Sequence, residues 1–138
     1  MHIGENMTTS ILPNKPTINT VYITELNSTK PIWSIKKTNH GLGLELKVQF
    51  VSFKPDTFPI HNSISVTNRN NENVATLPLD ITLNDLKVEN PENITENMIG
   101  EYSVYIILEP EEIKETGLLR FDITISDIFS KSMFLALY

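Results

Sequence analysis

The chain contains no cysteine, and this absence excludes several kinds of chemistry at once. Disulfide frameworks, thiolate nucleophiles, CxxC redox pairs and cysteine-based zinc sites all require the thiol group. The composition fits a reducing compartment. It does not exclude secretion, because a chain of 138 residues can bury a sufficient core without covalent or metal cross-links.

Clusters of positive charge are also missing. The chain carries 17 acidic and 11 basic residues, for a net charge of -6. Its densest basic spot is the pair Lys36-Lys37, whereas binding to a polyanion requires many clustered lysines and arginines. We therefore expect neither nucleic acid nor an anionic membrane surface as a partner.

Long hydrophobic runs are absent as well. No stretch approaches the length of about 18 apolar residues that spans a bilayer. The first residues, MHIGENMTTSILPNKP, lack the basic region and apolar run of a signal peptide. The sequence predicts no membrane insertion. It favours a cytoplasmic location as synthesised, with association with a virion left open.

Histidine, the commonest catalytic and metal-binding side chain, occurs only three times. His2 lies in an irregular N-terminal stretch, His40 in a predicted turn and His61 on the predicted polar face of a strand. None has a second histidine or a carboxylate at metal-ligand spacing. We predict no metal site from these residues.

Other catalytic signatures are incomplete. Gly41 and Gly43 lack the third glycine and the following helix of a phosphate-binding loop, so they are simply read as a hairpin turn. The acidic run from 109 to 115 lacks the ligand spacing of a calcium loop. No GxSxG elbow is present. The sequence therefore predicts no enzyme and no cofactor.

The sequence is rich in alternating apolar and polar residues, which is typical of β-strands. In the clearest strand, 42–53, apolar residues occupy even positions from Leu42 to Phe50, and the parity switches at Val51. Such a switch predicts a β-bulge. In the segment 119–125, the apolar residues occupy odd positions. We expect these two faces to pack against each other, with Leu46 and Ile123 almost fully buried.

The whole pattern predicts an all-β fold, an antiparallel β-sandwich of seven or eight strands. Residues 1–19 form a predicted flexible arm, and residues 20–138 form a single domain. Pro78 is expected on an edge strand, because proline removes a ladder donor. The strand 102–108 is expected to be central, since both of its faces are apolar. The predicted strands cover 20–23, 31–36, 42–53, 58–67, 75–83, 102–108, 119–126 and 133–138.

Three apolar residues are candidates for binding. Trp33, the only tryptophan, is most simply interpreted as a core anchor. The alternative is a sugar-stacking platform, for which Tyr22 and Tyr105 are further stacking residues. Ile128 and Phe129 fall in a predicted hairpin loop. Phe129 either folds back to cap the end of the sandwich or projects as a partner-binding knob.

Two segments resemble immunoglobulin-like domains. The stretch from Gly117, with its Gly-x-x-x-Phe start and apolar final strand, resembles the closing strands of bacterial immunoglobulin-like domains. The run from Gly100 to Val104 resembles the Gly-x-Tyr-x-Cys pattern of immunoglobulin domains, with Val104 in place of cysteine. The family's disulfide is therefore not implied.

A further resemblance covers residues 58–138, which are similar to the N-terminal β-sandwich of Gram-positive phage baseplate upper proteins. The shared features are an Asn-rich turn, a Leu-Glu-Pro segment and a penultimate strand that begins with glycine. The resemblance implies a structural role in an assembly and carries over no catalytic residue.

Three functional hypotheses follow. The first is a non-catalytic structural or protein-interaction module, with a virion or assembly component as one form of it and a protein partner or homo-oligomer expected. The second is a carbohydrate-binding module that uses Trp33, Tyr22 and Tyr105 as stacking residues. The third is an enzyme of unrecognised type, which paired carboxylates always leave open.

Overall fold

The fold is described from a computed structural model of the chain. It covers residues 17–51, 58–89, 92, 99–115, 117–125 and 129–138. Helical structure among these residues is limited to a 3-10 turn, Leu83–Asp85, and one α-helical turn, Pro110–Ile113. The strands are β1 Thr17–Glu25, β2 Pro31–Ile32, β3 Ser34–Ile35, β4 Leu42–Val51, β5 Ile60–Thr67, β6 Asn73–Ile81, β7 Ile99–Leu108, β8 Leu118–Ile125 and β9 Phe129–Leu137.

The strands form two sheets, which confirms the all-β prediction. Sheet 1 has the order β2-β1-β4-β7, and sheet 2 has the order β3-β9-β8-β5-β6. Neighbouring strands are antiparallel apart from β3 and β9, which are parallel. The arrangement is sandwich-like, because apolar faces of both sheets contribute to one core. None of the described helices is long and apolar enough to span a bilayer.

The core contains the two faces that the alternation singled out. The even residues of β4, from Leu42 to Phe50, and the odd residues of β8, from Leu119 to Ile125, are all buried in the same hydrophobic cluster. Leu46 is fully inaccessible, as predicted. These residues share the core because a sheet with one apolar face must bury that face against a second layer.

The segment 31–36 is two short strands and not one. β2 pairs with β1 in sheet 1, and β3 pairs with β9 in sheet 2, so the chain changes sheets at Trp33. The carbonyl oxygen of Trp33 accepts a hydrogen bond from the backbone N–H of Ala136 at 3.0 Å. The crossover places the β2 edge of sheet 1 and the β3 edge of sheet 2 on the same side of the domain.

The strand β7 is an edge strand, so the prediction of a central strand is wrong. The side chains of Tyr105 and Ile107, on the outer face of β7, are 61% and 62% exposed. A strand with apolar residues on both faces is expected to be buried on both faces, whereas the outer face of β7 is open to solvent. The predicted edge position of Pro78 is confirmed, since β6 ends sheet 2.

Several predicted boundaries change. β1 begins at Thr17, so three residues of the predicted arm belong to a strand, and residues 1–16 lie outside the described part. The register of β4 with β7 runs without interruption to Val51, and the irregularity lies in β1 between Ile18 and Thr20. The position of the second parity-switched residue, Phe53, is outside the described residues.

Candidate functional site

An apolar patch lies on the outer face of sheet 1, near one end of the domain. It consists of Leu26, Tyr105 and Ile107, and we call it the outer patch. Leu26 is 41% exposed, in addition to the two exposed side chains of β7. Gly43 of β4 lies opposite Ile107. A side chain at position 43 would occupy the space that the outer patch fills.

The geometry at Gly43 shows how the outer patch is built. A Cβ atom placed on Gly43 would lie 2.5 Å from Cδ1 of Leu26 and 3.5 Å from Cδ1 of Ile107. The two side chains therefore converge over the glycine from β7 and from the turn that follows β1. Tyr105, two residues before Ile107, continues the apolar surface because residues i and i+2 share one face of a strand.

An open groove of about 670 Å³ borders the outer patch at the end of the sandwich. Its walls come from the ends of β1, β7 and β9 and from the turn before β4. Gly41 in that turn has φ 86°, a conformation that favours glycine. The lining residues are Glu25, Leu26, Ser34, Ile35, Lys36, Thr38, His40, Gly41, Leu42, Gly43, Ile107 and Tyr138.

Beside the outer patch, on the same face of sheet 1, a buried ion pair joins two residues of β4, Glu45 and Lys47. Lys47 Nζ lies 2.5 Å from Glu45 Oε2 and donates to Ser103 Oγ at 3.0 Å. The backbone N–H of Asn27 donates to Glu45 Oε1 at 2.6 Å. The hydrogen bond from Lys47, followed by that from Asn27, holds the pKa of the Glu45 carboxyl below its usual value. Although the two side chains point away from the core, Glu45 is only 4% exposed and Lys47 only 11%.

A second polar network lies further along the same face. Tyr22 donates from its hydroxyl to Glu101 Oε1 at 2.8 Å, and Gln49 Nε2 donates to the same oxygen at 3.1 Å. Burial, followed by the hydrogen bond and charge of Glu101, raises the pKa of Tyr22 to about 12. At neutral pH the phenol is therefore a hydrogen-bond donor. The network connects β1, β4 and β7 across their outer faces.

These contacts give sheet 1 a fixed polar surface with an exposed apolar rim. In the described part of the chain, no group of three or more His, Asp or Glu side chains is placed to hold a metal ion. The outer face of sheet 1 thus offers hydrogen bonds and apolar contacts, as protein interfaces do.

Of the three predicted binding residues, Trp33 has a described side chain, and it is not part of the outer patch. Trp33 is 80% exposed, so its interpretation as a core anchor is wrong. The reason is the crossover, since a residue between two strands of different sheets belongs to the inner face of neither. Phe129 is the first residue of β9, paired with Ile125, and its side chain lies outside the described part. Ile128 lies outside it entirely.

Sequence reasoning missed Leu26 and Ile107 as members of the site. A signal was present, because β7 has apolar residues on both faces while β4 carries Gly43 directly opposite one of them. Interpreting the pattern required knowledge of which strand lies at the edge. Tyr105, a predicted stacking residue, lies on the exposed outer face of β7.

Comparison of the chain with protein-family models and with curated proteins gives no match.

Proposed function

We propose that this chain is a non-catalytic protein-interaction module that binds a partner through the outer patch. The observation that carries the proposal is the convergence of Leu26 and Ile107 over Gly43, with both side chains exposed. The solvated face of an antiparallel sheet usually carries polar side chains. Contiguous exposed apolar side chains with a polar border are typical of interaction surfaces.

The surroundings of the outer patch support the same function. Tyr105 supplies an exposed aromatic ring, the kind of residue that contributes most to protein interfaces. The Glu45–Lys47 pair holds the adjacent β4 surface in one arrangement. A surface that is ordered before binding loses less conformational entropy when a partner docks.

The proposal includes an immunoglobulin-like topology, which is common among interaction domains. In such domains strands A, B and E are neighbours in one sheet, and strands G, F and C are neighbours in the other. Assigning β1, β4 and β7 to A, B and E, and β9, β8 and β5 to G, F and C, agrees with these orders, with β2, β3 and β6 as additional edge strands. Tyr102 then belongs to strand E, so it is not the tyrosine corner of strand F. A structural role in a virion or another assembly is consistent with this topology.

Site-specific photo-crosslinking tests the proposed function. Benzoylphenylalanine is introduced at position 107 in the cells that produce the protein, and the adducts are identified by mass spectrometry. The matched control is position 134, because Phe134 is also an exposed apolar residue but lies on the other sheet. We expect an adduct with one defined protein from position 107 only. Equal crosslinking from both positions, or none from 107, would contradict the proposal.

Carbohydrate binding is the second candidate function, and the exposure of Trp33 favours it. An indole that is 80% exposed is available for stacking on a sugar ring. A glycan array probed with the wild type and with Trp33→Ala tests this function. Binding to a defined glycan that is lost in the variant would support it, and an array without any bound glycan would exclude the glycans displayed.

A further inference from the structure

Among the described residues, sheet 1 has four strands and sheet 2 has five. On the side of the domain where the chain changes sheets, β1 of sheet 1 lies against β9 of sheet 2. At the other side, the side chain of Asn62 in β5 donates to the hydroxyl of Tyr102 in β7. β7 therefore lies over β5, and β6 extends beyond the last strand of sheet 1.

The inner face of β6 is only partly covered as a result. Ala75, Leu77 and Leu79 pack against the core but remain partly exposed, whereas Ile64 and Val66 on the neighbouring strand β5 are fully inaccessible. Inner faces of sandwiches are normally covered by the opposite sheet. Three apolar side chains thus face a place where a fifth strand of sheet 1 would lie.

One end of this place is already occupied. The backbone N–H of Lys87 donates to the carbonyl of Glu101 at 2.7 Å, and the N–H of Glu101 donates back at 3.0 Å. Leu86 is buried beside this bridge. The 3-10 turn Leu83–Asp85 comes immediately before, so the described residues between β6 and β7 pair with β7 at this single bridge.

The rest of the β7 edge is open in the described structure. Peptide groups of alternate residues point to the same side of a strand, so those of Ser103, Tyr105 and Ile107 point in the direction of the Glu101 groups that bond to Lys87. Within the described residues, they have no backbone partner on that side. We call this place, between the β7 edge and the inner face of β6, the strand slot.

The uncovered part of β6 runs along this open edge. Leu79 pairs with Asn62, which reaches Tyr102. From there β7 continues to Ile107 at the groove, which Tyr138 also lines. The end of β5 pairs with the start of β8, and the start of β8 pairs with the end of β9, just before Tyr138. β5 and its neighbour β6 therefore extend toward the groove as well. The strand slot therefore spans the five residues from Ser103 to Ile107, which is about 16 Å at a rise of about 3.3 Å per residue.

We propose that an extended segment of a protein partner adds to β7 in the strand slot, as the fifth strand of sheet 1. Its backbone pairs with Ser103, Tyr105 and Ile107, and its inward side chains cover Leu77 and its neighbours on β6. Strand addition of this kind derives affinity from main-chain hydrogen bonds and specificity from alternate side chains. The inference rests on the proposed function only in requiring a protein partner.

The slot fits a single strand and excludes the β7 strand of a second copy. Edge-to-edge pairing of two copies would place the β5 strand of the second copy in the layer beneath the added strand. β6 of the first copy already occupies that layer. Edge β6 itself carries Pro78, which protects it from pairing. A single extended segment brings no second layer with it and pairs with β7, not with β6, so neither restriction applies to it.

The described residues at the two ends of the slot indicate a direction for the segment. At one end, the bridge between Lys87 and Glu101 is antiparallel, and the two residues have opposite charges. At the other end, Glu109 and Glu111 follow β7. A segment that is antiparallel to β7, like Lys87, begins near these glutamates, so basic residues before its apolar alternation match their charge. The partner segment is thus a basic stretch followed by about five alternating residues.

Fluorescence anisotropy with a labelled peptide, Lys-Lys-Val-Thr-Val-Thr-Val, tests the proposal on the full chain. The control peptide, Lys-Lys-Val-Val-Val-Thr-Thr, has the same composition without the alternation. We expect saturable binding of the first peptide and at least about tenfold weaker binding of the second. Equal binding of the two peptides, or no binding of either, would overturn the proposal.

A matched pair of variants locates the binding. Leu77→Lys places a charge inside the slot, whereas Thr76→Lys places the same charge on the opposite face of β6. We expect about tenfold weaker peptide binding for the first variant and unchanged binding for the second. Tyr105→Pro removes an edge N–H without breaking a bond to β4, and should weaken binding equally. Thermal melts verify that all three variants fold.

The two proposals can fail separately. A partner that crosslinks from position 107 with equal yield in the wild type and in Leu77→Lys would overturn strand addition and retain the outer patch. Peptide binding that Leu77→Lys abolishes, without any crosslink from position 107, would support strand addition and overturn the outer patch. A dimer that Leu77→Lys dissociates, measured by light scattering, would overturn the choice of a separate partner.

Discussion

The side-chain amide of Asn62 donates a hydrogen bond to the hydroxyl of Tyr102 across the core, over 2.9 Å. The two residues belong to different sheets and are only 5% and 3% exposed. Burial raises the pKa of the Tyr102 phenol far above its usual value, so the hydroxyl stays protonated. The amide oxygen, Asn62 Oδ1, is buried without a hydrogen-bond partner. The contact therefore joins the sheets while leaving one polar atom unsatisfied.

Removing the phenol oxygen should cost more than the hydrogen bond alone contributes. Tyr102→Phe leaves the amide of Asn62 with no partner, and we expect a loss of about 1–3 kcal/mol in the free energy of unfolding. The double variant Asn62→Leu with Tyr102→Phe should recover most of it, because both polar groups are gone. Urea denaturation measures all variants. A double variant no more stable than Tyr102→Phe would contradict this account.

Truncation of the central core residues should destabilise the domain strongly. Leu46→Ala and Ile123→Ala should each cost about 2–5 kcal/mol, the usual range for a buried aliphatic side chain. Ile107→Ala, at an exposed position, should change stability by less than about 0.5 kcal/mol. Thermal melts compare the three. In the same series, a large loss for Phe129→Ala would identify that residue as a core cap, and a small loss would agree with a binding knob.

The core could be predicted because its signal is local. Alternation in 42–50 and 119–125 fixes which side chains share a face, and packing two apolar faces requires no further information. The position of β7 could not be predicted in this way. Its two apolar faces match a buried strand equally well, and only the pairing of distant segments decides which strand ends a sheet. The outer patch and the strand slot both depend on that pairing.

The exposure of Trp33 could not be deduced for a related reason. A tryptophan in a short β-prone segment is usually buried, and the change of sheet at this residue depends on the partners of β2 and β3. We expect its fluorescence to resemble that of a solvated indole and to be quenched by iodide as efficiently as free tryptophan. As the only tryptophan, it reports without interference. A blue-shifted emission that iodide does not quench would contradict the described position.

The Glu45–Lys47 pair predicts a pH dependence of stability. Because the folded-state pKa of Glu45 is lowered, its contribution is present above the unfolded pKa of about 4.5 and is lost as the pH falls through the folded value. The difference in unfolding free energy between the wild type and Glu45→Gln should therefore shrink on acidification. Denaturation at several pH values measures it. A difference that grows below this range would show that the sign is wrong.

The two glycines near β4 should respond differently to the same substitution. At Gly41, φ is 86° and a Cβ would lie 2.0 Å from the carbonyl oxygen of Leu108, which is backbone and cannot move aside. Gly41→Ala should therefore cost at least about 2 kcal/mol. At Gly43 the nearest atom is the end of the Leu26 side chain, which can rotate away. Gly43→Ala should cost less than about 1 kcal/mol.

The same pair of variants also separates stability from binding. Because Gly43→Ala displaces Leu26 from its place beside Ile107, we expect weaker crosslinking from position 107 in a protein of nearly unchanged melting temperature. Gly41→Ala should lower the melting temperature. Both are measured by thermal melts and by the yield of the position-107 adduct. If Gly43→Ala left that yield unchanged, the convergence of Leu26 and Ile107 would not be the feature that the partner recognises.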